Sequence, residues 1–187
     1  MDKFNVFNIY ELVFGYKAVP FPRVDFAGSI PKADKFSILG VSLYEKDQYG
    51  NEGFCPVKIK YQEETFNLPY STISIQNKKK IKETSLTGRK GTVKELIQIG
   101  NYVFNIQGVA IIKEDSMPEN EIINLRNLYE INDSVQLENA FSEIFLMEDN
   151  NVVIKNIDLP DMKGIIGAQA YSMTLLSDSV LTLEFNE

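Results

Sequence analysis

Four carboxylate pairs come nearest to chemistry in this sequence: Glu63 with Glu64, Glu114 with Asp115, Glu148 with Asp149, and Asp158 with Asp161. Paired acids can share general-acid and general-base work across a glycosidic bond if a cleft holds them at a set separation. Nothing around these pairs predicts a cleft, and solvation of loops is the simpler reading. None follows the Asp/Asn pattern of a calcium loop ending in its bidentate glutamate. The chain has no histidine, which removes the commonest general base, zinc ligand and near-neutral switch. Cys55, the single cysteine, can form neither an internal disulfide nor a multi-cysteine metal site. As a nucleophile it would need a base that the sequence does not supply, so its setting in GFCPVKI predicts a small buried residue. Gly88-Arg89-Lys90-Gly91-Thr92 hints at a phosphate loop, but it lacks the GxxxxGK[ST] spacing and leads into a strand, not a helix. Its glycines let the chain bend, and Arg89 and Lys90 suit an acidic group across a subunit contact. The expectation is a non-enzymatic protein with no catalytic residue, metal, cofactor or small-molecule substrate.

At 187 residues, 44 % of them hydrophobic, the chain can bury a core and fits one domain with a small appendage. Its net charge of −7 argues against a general grip on DNA phosphates. No basic leader precedes an apolar run in MDKFNVFNIYELVFGYK, so no signal peptide is expected, and no apolar stretch is long enough for a membrane span. Folding in a reducing cytoplasm follows from these readings.

The elements that must carry these residues are mostly short strands. Residues 1–35 read as an arm and connector: a short aromatic-rich helix to about residue 17, then a proline-rich segment. The arm, with Phe4 and Phe7, packs either on its own domain or on a neighbouring subunit. Residues 36–187 read as a single β-rich domain. Strands are expected at 36–44, 54–61 (an edge strand, or one beginning after Pro56), 72–76, 135–138, 152–154, 169–176 and 179–185. A connector is expected at 62–71. Lysines 78–80 and 82 read as protection of an exposed strand. The dominant feature is a predicted hairpin over residues 92–112, turning at Gly100-Asn101, with apolar weight on both faces. Ser116 and Glu119 form a capping box for a helix to Tyr129 that presents Ile122, Leu125, Leu128 and Tyr129, and a short helix is expected at 140–146. The fold class is mainly β (α+β): an antiparallel sandwich or barrel with a long hairpin and one or two short helices.

Three stretches, GRKGTVKELIQIGNYVFNIQGVAI, SMPENEIINLRNL and NNVVIKNIDLPDMKGIIGAQAYSMTLLSD, resemble in order and content an uncharacterised family of bacteriophage tail and baseplate proteins. The resemblance covers about residues 84–180 and rests on structural motifs. It implies a tail-tube-like or hub-like β-fold that assembles into a homo-oligomeric ring with other tail or baseplate proteins, in the virion. The ring would surround a channel through which DNA passes as transient cargo. On that reading Thr92, Lys94, Gln98, Asn105 and Gln107 face the lumen, and Gly88, Arg89, Lys90, Gly91, Phe4 and Phe7 join them as subunit-interface residues. The alternative is an adaptor with a β-module that binds one protein partner through its aromatic arm. A hydrolase or carbohydrate-binding enzyme on a β-scaffold is the third reading.

Overall fold

The computed structural model describes residues 6–15, 36–37, 40–46, 52–68, 70–88, 90–112, 117–146, 150–162 and 167–178. Seven strands make the main sheet. They are β3 (Val57–Tyr61), β4 (Glu64–Leu68), β5 (Ser71–Gln76), β8 (Val103–Ile111), β9 (Val135–Glu138), β10 (Asn151–Asp158) and β11 (Ala168–Ser177). Two short strands, β1 (Tyr44–Lys46) and β2 (Glu52–Phe54), pair with each other, as do β6 (Lys79–Ser85) and β7 (Thr92–Ile99). The helices are α1 (Val6–Phe14), α2 (Glu119–Tyr129) and the single turn α3 (Glu143–Leu146).

The main sheet runs β4-β3-β9-β10-β11-β8-β5, with every neighbouring pair antiparallel. This is the mainly-β class expected, with a correction: the sheet coils until β3 meets β5, yet no ladder closes it. Period-two alternation in β8 explains why the sheet has a dry face. Phe104 and Ile106 are fully buried on that face, beside Met173 and Leu175 of β11, Val57 and Ile59 of β3, and Leu137 of β9. Each such side chain contributes about 1.5–3 kcal/mol by leaving water. Leu125 and Leu128 of α2 cover this core.

The opposite face is dry only at one end. There α1 lays Ile9 and Tyr10 against Val109, Ile111, Ala168 and Ala170, the two alanines leaving room for a helix. The Tyr10 hydroxyl donates to the backbone carbonyls of Tyr70 and Gln107. The helical part of the arm therefore packs on its own sheet. Elsewhere this face is polar, with Thr72, Ser74, Asn105, Gln107, Ser172 and Thr174 lying side by side in register. The Thr174 hydroxyl donates to the Asn105 side-chain oxygen at 3.1 Å.

Several sequence expectations are corrected. Residues 64–68, expected in a connector, form β4, which pairs with β3 along five residues. Among the described residues of 36–44, only a bridge between Phe36 and Ser42 forms before β1. Pro56 does precede β3, but that strand is interior because β4 and β9 flank it. The N-cap of α2 is Pro118, with no side-chain cap. Ser116 lies outside the described residues, as does the strand expected at 179–185. Tyr129 points away from the core, leaving Leu125 and Leu128 to anchor α2.

Candidate interaction site

The hairpin predicted over residues 92–112 does not form, because its two arms pair with other strands. β7 pairs with β6, from Lys79 opposite Ile99 to Ser85 opposite Thr92. β8 instead lies between β11 and β5 in the main sheet. Nine residue pairs with β11 bury Phe104 and Ile106, an outcome that a β7–β8 hairpin could not provide. The turn falls between Ser85 and Thr92, where Gly88 and Gly91 take φ of 81° and 107°, a region open to glycine. Gly100 is no turn: its N–H donates to the Lys78 carbonyl at 2.9 Å, and the Asn77 amide donates to the Gly100 carbonyl at 2.7 Å. Residues 71–76 thus pair with 103–108, and residues 79–85 continue the ribbon against 92–99. The outer half leaves the body as a finger of about 25 Å, taking 3.3 Å per residue.

Every described residue of β6 and β7 is exposed. The finger nonetheless carries Ile81, Leu86, Val93, Leu96, Ile97 and Ile99, and Leu96 and Ile99 remain 58 % and 59 % exposed. The register slips between Lys80 and Ile81, leaving Ile97 as an extra residue on β7. The bulge breaks simple alternation. Ile81, Leu96 and Ile99 fall together on one face with Thr92 and Lys94, while Gln98 moves to the face of Val93 and Glu95. On the first face Lys94 approaches Glu83 at 3.7 Å, and the Thr92 hydroxyl donates to the Glu83 carboxylate at 3.4 Å. Contiguous exposed apolar side chains make this stripe a candidate contact surface.

The sequence-derived interface residues separate into three places. Gly88, Lys90, Gly91, Thr92, Lys94 and Gln98 lie on the finger and its turn, all exposed. Asn105 and Gln107 sit half-buried on the polar face of the main sheet, so the five lumen-facing positions do not share one strand pair or one face. Phe7 belongs to α1; Phe4 and Arg89 lie outside the described residues. The apolar stripe of Ile81, Leu96 and Ile99 was missed. Its one signal was apolar weight on both faces of the predicted hairpin, which suits a core on one side and a partner chain or second layer on the other.

Among the described residues, those that could do chemistry stay apart. Glu63 and Glu64 sit exposed at the β3–β4 turn, and Asp158, the last residue of β10, and Asp161 beyond it are also exposed. The other two acid pairs lie outside the described residues. Among the described residues no three acids or cysteines gather as a metal site. Cys55 is half-buried, not fully buried, at φ 51° in the turn before β3, and burial pushes its thiol up, away from the reactive thiolate. An open groove of about 770 Å³ lies between the end of α2 and β10, lined by Tyr129, Glu130, Asp133, Val153 and Lys155. Its Glu130 is engaged by Arg126 at 3.3 Å. No described helix is long and apolar enough to cross a membrane.

No curated protein matches this chain. Among solved structures, a chain in the tail of an empty gene transfer agent (GTA) particle, refined helically in C6 symmetry, is 15 % identical at a TM-score of 0.37. The alignment covers 70 % of this chain and 96 % of that one. A chain in the virion of a native gene transfer agent particle is 16 % identical at a TM-score of 0.34, covering 66 % of this chain and 91 % of that one. Residues 67–187 match one family from within β4 through the finger to the C-terminal residue, so the chain belongs to the family described as "Domain of unknown function (DUF6046)".

Proposed function

We propose that this chain is a structural, non-enzymatic subunit of a phage-type tail, working at the tube end or baseplate by assembling with copies of itself and other tail proteins. The observation that carries the reading is the finger: two strands of seven and eight residues, wholly exposed yet bearing a stripe of large aliphatic side chains. A ribbon this long is unstable as a lone hairpin in water and calls for a covering surface. The motif resemblance at residues 84–180 supports the tail setting. A ring about a channel fits the uncharged hydroxyl and amide face of β5, β8 and β11, which offers passing DNA neither a basic trap nor an apolar one. The adaptor reading has less support, because α1 spends Ile9 and Tyr10 on its own sheet. Antibody labelling of purified particles tests the proposal. Label on the tail, together with an assembled species in size-exclusion chromatography with mass measurement, is expected. A monodisperse monomer absent from particles would overturn it.

A further inference from the structure

Charge is divided unevenly between the finger and the rest of the chain. Residues 77–99 hold six lysines and Arg89 against Glu83 and Glu95, a net charge of +5. The whole chain carries −7, so everything outside that segment sums to −12. A basic, aliphatic ribbon therefore springs from an acidic body of the same molecule. We propose that the partner covering the finger is the acidic body of a second copy of this chain, in a head-to-tail contact; this rests on the assembly reading above and names its occupant.

Three features favour a protein surface over nucleic acid. The Ile81, Leu96 and Ile99 stripe would be wasted against phosphates, whereas it gains by burial on a protein. Glu83 and Glu95 interrupt the basic row where a phosphate backbone would reject them. No aromatic residue lies within 77–99, so there is no platform on which a base could stack. A finger on one copy and a receiving body on the next use different patches, and such a contact propagates into a ring or a stack.

The bond between Gly100 N–H and the Lys78 carbonyl gives the test a clean variant. Replacing residues 79–99 by Asn-Gly closes a two-residue hairpin at that bond and leaves β5 and β8 in place. The fluorescent full chain is titrated with this fingerless chain and followed by anisotropy. Saturable binding is expected, weakening by about tenfold or more between about 0.05 M and about 0.5 M salt. Two fingerless chains should not bind each other. A K79E/K80E/K82E chain, which keeps the ribbon, should lose the interaction with the fingerless body. Failure of the full chain to bind the fingerless body, or tighter binding of a short DNA duplex that the charge-reversed chain loses, overturns the inference. Particle labelling would be untouched by that failure, so the two readings fall separately.

Discussion

Gly108 is where the placement of β8 can be tested most directly. It stands opposite Tyr171 on β11, and a Cβ built there would lie 2.3 Å from the tyrosine oxygen, 2.4 Å from Cζ and 2.9 Å from Cε1. Carbon contacts normally begin near about 3.5 Å, so the ring would have to retreat by about 1 Å. It has nowhere to go: Tyr171 is 1 % exposed in the main core, and burial holds its hydroxyl well above the ordinary tyrosine range against a smaller lowering by Ser71. Overpacking of this kind costs about 1–3 kcal/mol, offset by about 0.5–1 kcal/mol because alanine suits a strand better than glycine. With the direct cross-strand geometry, Gly108→Ala should lose about 1–2 kcal/mol net, or about 2–8 °C of melting temperature for a chain of this size. Urea unfolding followed by circular dichroism reads the loss. In the Y171L background the same alanine should cost under about 0.5 kcal/mol, since the obstructing ring is gone. A full-sized loss in that background, or no loss in the parent, would refute the β8–β11 packing. A β8 paired with β7, as alternation alone suggested, has no tyrosine to obstruct.

Three other substitutions probe the supports of the sheet. Tyr10→Phe removes the hydroxyl shared by the Tyr70 and Gln107 carbonyls and should cost about 1–2 kcal/mol in thermal melts while leaving the sheet's dichroism intact. Asn139 is fully buried, donates to the carbonyls of Cys55 and Pro56, and accepts from the N–H groups of Phe141 and Ser142. Asn139→Ala orphans all four groups and should cost about 3 kcal/mol by chemical unfolding. Burial, and then the nearby Glu138, raise the Glu143 carboxyl above the usual glutamate value. The folded chain thus holds that proton more tightly than the unfolded chain; the group opposes folding above its raised value, and the penalty fades as pH falls through it. Glu143→Gln should melt higher than the parent at neutral pH, and the gap should close toward about pH 4.

Much of the fold was legible because local pattern and burial agree. β9, β11 and the anchoring leucines of α2 follow from period-two and period-3.6 spacing, and each ends in the core the spacing demands. The sequence misleads where two strands share one apolar pattern. Val93, Ile97 and Ile99 look like core residues, but a bulge at Ile97 and an insertion between adjacent strands put them outside. Choosing which strand pairs with Phe104 and Ile106 requires β11, whose partners Leu175 and Met173 come about seventy residues later, and no local signal carries that information. β4 was hidden because Glu64 falls in register with Phe66 and Leu68, leaving two apolar residues to mark the strand, an arrangement tolerated at the edge of the sheet. The candidate surface was half visible: its glycine bend and lysines were legible, its aliphatic stripe was not.

The insertion of the β6–β7 ribbon between two neighbouring strands makes its length a free dimension of the molecule. One residue added to each strand near the tip extends the reach by about 3.3 Å and disturbs no core side chain. Parity is the one restriction, since an odd slip between the two strands turns the aliphatic stripe to the other side. The reach of the ribbon can therefore be tuned like the graduation of a ruler, without rebuilding the globule that holds it.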